Sequence, residues 1–218
     1  MRRLFRISIW VWRAFLALLV RPRCTACDRR LEAQAVFCAP CLATVTQIAG
    51  SAALGGVRVA AFGAYGAAVG DALRRFKYRA RPDLALPLGE LLRRRVDALR
   101  GRFDIVVPVP LHPRRLAARG YNQAALLARP IARELGLPLR TRALRRVLDT
   151  PAQAKLDGAA RRRNVENAFV ASRCVAGRRV LLVDDIATTG ATLQSCAHAL
   201  RNAGATECEA LVVARSGV

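Results

Sequence analysis

Residues 178–195, RRVLLVDDIATTGATLQS, place two adjacent carboxylates at the end of an apolar run and follow them at once with threonine, glycine and alanine. The run through Val183 reads as a strand buried on both faces. The small residues after it read as a turn into a helix over 192–202, closed by Gly204. In open α/β sheets ligands sit beyond the carboxyl ends of the strands, so Asp184 and Asp185 are expected at the mouth of the sheet. The helix that follows starts with unpaired N–H groups. Gly190 and Ala191 leave room for them to close on a phosphate, and Thr188, Thr189 and Thr192 add hydroxyls. Carboxylates do not serve a phosphate; their partner is a vicinal diol or a bound Mg²⁺. A phosphate and a diol a few ångströms apart describe a ribose 5-phosphate.

Outward from this stretch the chain alternates between strands and helices. VRVAAF (57–62) reads as a strand and GDALRRFKYR (70–79) as a helix, with a further helix over 87–99. FDIVVPVP (103–110) is a strand closed by prolines, and 121–135 is a helix stopped by Gly136. AFVA (168–171) is a short strand, and ECEALVVAR (207–215) a last one. The stretch around 50–56 reads as weakly structured. This pattern predicts an α/β fold with a mostly parallel sheet flanked by helices on both faces.

The 218 residues suffice for one substantial domain and a small appendage. Apolar residues make up 53% and charged residues 24%, a globular balance rather than a disordered one. Thirty-seven Lys+Arg against fifteen Asp+Glu leave a formal charge of +22. That surplus favours a polyanionic partner such as nucleic acid, an acidic membrane or a phosphate-dense metabolite. The clusters at 93–95, 145–146 and 161–163 exceed what one cationic pocket requires, and single-stranded DNA fits them through phosphate contacts. Phe37, Phe76, Tyr78 and Tyr121 are the candidates for base stacking, most of them expected in the core.

Four of the seven cysteines fall in CTACDRRLEAQAVFCAPC (24–41), with the spacing Cys-x2-Cys-x10-Cys-x2-Cys. Cys24, Cys27, Cys38 and Cys41 form a closed tetrahedral set suited to structural zinc, with no open position for catalysis. So small a module draws much of its folding free energy from the metal. Cys174, Cys196 and Cys208 lie in apolar stretches and are expected to be buried and inert. One tight cluster and an odd count point to a reducing compartment, and the protein is expected in the cytoplasm. Residues 1–21 form an amphipathic segment whose apolar run is interrupted by Arg13 and has no small-residue cleavage site. It is expected to pack on the protein or a partner, with contact to a membrane surface as the alternative. Three parts follow: the segment 1–21, a zinc ribbon over 22–50 and a larger domain over 57–218.

The string over 180–192 resembles the phosphoribosyl-pyrophosphate motif of type I phosphoribosyltransferases. VPVPLHPRRLAARGYNQAALLA (107–128), PAQAKLDGAARRRNVENAF (151–169) and the cysteine ribbon extend the likeness to the ComF family, from Cys24 onward. This resemblance implies that Asp184 and Asp185 hold the ribose hydroxyls, directly or through Mg²⁺. Thr188, Thr189, Gly190, Ala191 and Thr192 would cradle the 5-phosphate. Arg114, Arg115 and Arg119 would face the pyrophosphate, the alternative being a solvated basic face. Gln153 and residues 161–164 would belong to a loop closing over the ligand. Two features depart from the pattern: Thr188 stands where purine-salvage relatives carry an acid, and no general acid or base is identifiable. His112, beside Pro113, reads as structural.

Three functions follow. The first is a ComF-type protein that binds phosphoribosyl pyrophosphate, with Mg²⁺, and acts in DNA uptake or processing during natural competence. The second is an active phosphoribosyltransferase with an unidentified acceptor. The third is a nucleic-acid-binding adaptor with a vestigial sugar-phosphate site. For a competence role the resemblance implies a helicase or translocase as partner.

Overall fold

The computed structural model describes residues 22–32, 35–148 and 168–217. The segment 1–21 and the expected loop residues Gln153 and 161–164 lie outside these. Five strands form the main sheet: β1 (Ser51–Leu54), β2 (Val57–Ala64), β3 (Ile105–Pro108), β6 (Arg179–Ala187) and β7 (Glu207–Arg215). Their order is β1-β2-β7-β6-β3, with every neighbouring pair parallel except β1 and β2. A second, two-stranded antiparallel sheet joins β4 (Leu144–Arg146) to β5 (Phe169–Ala171). The helices are α1 (Ala39–Leu42), α2 (Ala67–Tyr78), α3 (Ala85–Arg93), α4 (Pro113–Arg119), α5 (Gln123–Leu135) and α6 (Ala191–Asn202).

Strand residues alternate between two cores, as the two-residue period of a strand requires. Val106, Leu181, Val183, Leu211 and Val213 face one side, with Phe76 of α2, Leu88 of α3 and Leu127 of α5. Val107, Val180, Leu182, Ala210 and Val212 face the other, with Leu193 and Leu200 of α6, Leu144 of β4 and Phe169 of β5. Both faces are covered, which is why the central strands read as unbroken apolar runs. Cys24, Phe37 and Cys38 of the cysteine-rich segment join the first core, so that segment packs on the α2 side of the sheet.

The expected α/β fold is present, with local corrections. The stretch around 50–56 is ordered: β1 turns into β2 through Gly55 and Gly56, both with positive φ, a tight hairpin in which glycine supplies the left-handed backbone. The helix expected over 87–99 ends at Arg93, and only a short 3-10 turn at Asp97–Leu99 follows. The proline-rich turn after β3 contains a helix, α4, with Pro113 at its first position, where a missing N–H costs nothing. The short strand at Phe169–Ala171 pairs with β4 outside the main sheet.

Candidate functional site

Asp184 and Asp185 lie within β6 rather than in a loop beyond it, because β6 stays paired with β7 as far as Ala187. Both are buried, at 8% and 2% exposure. Alternation along β6 sends them to opposite faces: Asp184 continues the series Val180, Leu182, and Asp185 the series Leu181, Val183. Asp184 Oδ1 accepts the backbone N–H of Asp185 at 2.8 Å. Asp185 meets Lys77 of α2, whose Nζ lies 2.9 Å from Oδ2. The ammonium is the partner of this buried oxygen.

The charges follow from this packing. Burial, and then the charge of Asp185, push the Asp184 carboxyl well above the ordinary carboxylate range, against the pull of Lys77. Burial opposes the charge on Lys77, but Asp185 and Asp184 outweigh it and hold the ammonium above its ordinary value. Sequence reasoning passed over Lys77, which reads as one more base in RRFKYR.

The turn that follows β6 is small and open. Gly190 precedes α6 with φ +80° and itself supplies no side-chain cap, and the first N–H groups of α6 have no intrahelical partner. Thr188 and Thr189 are exposed, Ala191 is buried and Thr192 is half-buried. Thr189 Oγ1 accepts from the Ala191 N–H at 3.4 Å. A Cβ on Gly190 would lie 2.8 Å from Cβ and 2.9 Å from the carbonyl carbon of Leu54. Glycine is needed there for the close approach of β1 as well as for the backbone angle.

The turn after β3 stands beside the same strand end, since the Val109 N–H donates to Val183 O at 2.9 Å. Asn122 ties it to α5: Nδ2 donates to Val109 O while Oδ1 caps the helix. His112 Nδ1 accepts from the Arg114 N–H at 3.4 Å and caps α4. Arg114 is exposed and Arg115 half-buried on that helix. Arg119 is engaged elsewhere, donating to Gln123 Oε1 at 2.6 Å and lying over the Tyr78 ring at 5.4 Å.

The four cysteines of the N-terminal pattern come together, with all four sulfurs within 4.8 Å of one another. Cys27 and Cys38 Sγ are 3.7 Å apart. A tetrahedron of thiolates at the zinc–sulfur distance of about 2.3 Å has edges of about 3.8 Å, so the set fits such an ion. The first knuckle closes through the Asp28 N–H on Cys24 O, with Asp28 at φ +63°. Cys38 and Cys41 bracket the start of α1. Burial raises the Cys24 thiol, but donors on the backbone of Cys38, Cys27 and Ala26 outweigh it and bring it to about 7. Burial pushes the Cys41 thiol up. The group can bind a metal ion. Outside it, Cys196 and Cys208 are buried, their thiols pushed up by burial, the latter to about 12. Cys174 corrects the expectation: it is exposed, because a 3-10 turn carries it away from the core.

A third cluster ties this group to the sheet. Arg75 of α2 donates to Ala26 O at 2.9 Å and to the Asp28 carboxylate, which Arg81 also holds at 3.2 Å. Among the proposed stacking aromatics Phe37 and Phe76 are core, Tyr121 donates to Phe76 O, and Tyr78 is 74% exposed. Among the described residues no helix is long and apolar enough to cross a membrane.

The Phosphoribosyl transferase domain family matches residues 121–217, which include β6, the acid pair and the turn into α6. Over that stretch the chain is similar to phosphoribosyltransferases. Competence protein F of Haemophilus influenzae is 32% identical over 203 residues, covering 89% of this chain and 85% of that protein. DNA utilization protein YhgH of Escherichia coli K12 is 31% identical over 209 residues, covering 90% and 91%. A solved glutamine phosphoribosylpyrophosphate amidotransferase from B. subtilis, complexed with ADP and GMP, is 24% identical with a TM-score of 0.46, covering 64% of this chain and 30% of its own. With relatives of that extent and identity, the chain belongs to the ComF family.

Proposed function

We infer that the chain binds phosphoribosyl pyrophosphate at the carboxyl end of β6. Asp184 and Asp185 take the ribose hydroxyls, and the turn from Thr188 through Thr192 takes the 5-phosphate. The observation that carries this reading is a pair of buried acids on a strand that runs straight into a helix to which Gly190 supplies no side-chain cap, inside the stretch matched by the phosphoribosyl transferase family. Arg114 and Arg115, on the helix after β3, would face the pyrophosphate; Arg119 contacts Gln123 and Tyr78. The cysteine set holds structural zinc and braces α2. Calorimetric titration with phosphoribosyl pyrophosphate and Mg²⁺ tests the reading: binding is expected in the wild type and lost in Asp184→Asn/Asp185→Asn. No heat from a folded, metal-loaded wild type overturns it.

Relatives named for competence and for DNA utilization, with a formal charge of +22, support a role beside single-stranded DNA. Such binding is through phosphates, so its affinity should fall steeply between about 50 and 200 mM salt. Absence of binding to a labelled oligonucleotide at low salt removes this part of the reading and leaves the sugar-phosphate site intact.

A further inference from the structure

Of thirty-seven basic residues in this chain, two are lysines, Lys77 and Lys155. One of them stands where arginine would fail. Lys77 places a single compact charge 2.9 Å from Asp185 Oδ2, with its side chain 18% exposed and that of the acid 2%. A guanidinium there would present a planar fork and tend to cover both carboxylate oxygens. An ammonium is a point charge that neutralises the acid and leaves acceptor positions open.

The same geometry bears on Mg²⁺. A divalent cation held by two carboxylates needs both to point at it with oxygens about 2.0–2.1 Å away. Here the acids project to opposite faces of β6, and the ammonium already sits on one of them. Asp184 has one oxygen committed to the Asp185 N–H. The residues present do not fit a metal ion bound by the pair.

We propose that Lys77 is a positioning residue that stands in for a divalent cation at Asp185, so that the sugar is bound at this strand end without a metal held between the two acids. The proposal rests on the sugar-binding reading above and decides how that site works. Lys77 supplies the positive charge beside buried Asp185, 2.9 Å from its Oδ2, where a cation would otherwise be needed.

Ribose 5-phosphate tests this, since it carries the diol and the 5-phosphate but no pyrophosphate to bring its own cation. The wild type, with its cysteine site metal-loaded, is expected to bind it equally in buffer freed of divalent ions and with Mn²⁺ added, within about twofold. Lys77→Met is expected to lose about tenfold or more in the first buffer and to recover with Mn²⁺, which replaces the missing charge. A merely structural lysine would not make binding depend on a cation. Wild-type binding that requires Mn²⁺ overturns the proposal. So does a folded Lys77→Met protein that binds like the wild type without Mn²⁺, or one weakened alike in both buffers. Should that variant fail to fold, the wild-type comparison decides alone. If ribose 5-phosphate does not bind at all, the sugar-binding reading fails. Mn²⁺ counting by electron paramagnetic resonance then decides the role of Lys77. Equal counts in the wild type and Asp185→Asn keep Lys77 as the resident cation, and one site fewer in the variant removes it.

Discussion

Arg75 and Lys77 leave the same turn of α2 in opposite directions, as residues two apart on a helix do, and each meets a cluster of groups able to carry negative charge. Arg75 reaches the cysteine knuckle, but it touches no sulfur; it braces the peptide and carboxylate around it, at Ala26 O and Asp28. Lys77 goes to the acid pair itself and sits on Asp185. The difference is one of closure. Four sulfurs within 4.8 Å complete a coordination shell among themselves, so the neighbouring cation has only to hold the frame. The acids at the mouth of the sheet are divided between two faces and complete nothing, so the neighbouring cation becomes part of the site. One cluster has the closed geometry of a metal site; the other is left open.

The largest effect should come from opening the closed cluster. Cys27→Ser/Cys38→Ser, or removal of the ion by a chelator, should unfold the segment around 24–41, because a module without its own core depends on the metal. Phe37 and Cys38 share the core of α2 and α3, so the melting temperature of the whole chain should fall by about 10 °C or more. Metal analysis should find one zinc per chain in the wild type. A variant that melts like the wild type would mean that the sulfurs are packed but not bridged.

The acid pair should respond with opposite signs at adjacent residues. Asp185→Asn strands the Lys77 charge in a largely buried place and should cost about 3 kcal/mol, or about 6–12 °C in melting temperature for a chain of this size. Asp184→Asn should stabilise by about 1 kcal/mol, as removal of a functional but unfavourable charge often does. Its sign follows from linkage. The folded-state pKa of Asp184 is raised, so its ionisation costs stability once the pH rises above the ordinary carboxylate value and on through the raised one. The advantage of Asp184→Asn should therefore be absent in acid and grow as the pH rises through that window. Thermal melts of both variants across pH check this. Equal destabilisation by the two would break the distinction between a paired and an open acid.

Much of this was legible in the sequence because the physics is local. The apolar run into Asp184 can only be a strand covered on both faces, and the Cys-x2-Cys spacing brings sulfurs together whatever surrounds them. What was not legible depends on partners distant in sequence. Lys77 joins the site across more than a hundred residues, and within α2 it looks like part of a solvated basic face; its rarity among arginines was the one local sign. That the two acids face opposite ways depends on β6 remaining paired with β7 through Ala187, while their adjacency suggested a side-by-side clamp. β1 went unread because Ser51–Leu54 lacks β-branched and aromatic residues, although Gly55 and Gly56 mark the hairpin. α4 went unread because proline and glycine bound it so closely that it resembles a turn; His112 and Pro113 are in fact its cap and first residue.

The smallest expected effect concerns the chemistry of the two bases themselves. Arg75→Lys keeps the charge on α2 but loses the planar group that spans Ala26 O and the Asp28 carboxylate together. Arg81 still holds Asp28 from the other side, so the knuckle keeps a counter-charge. The cost should be about 1 kcal/mol, the net worth of a hydrogen bond or two, read as a fall of about 2–4 °C in melting temperature. Because Arg75 braces the closed cluster and not the open one, ribose 5-phosphate affinity should be unchanged. A loss of affinity with Arg75→Lys would show that the cysteine segment and the acid pair communicate through α2, and the two clusters would then be one device rather than two.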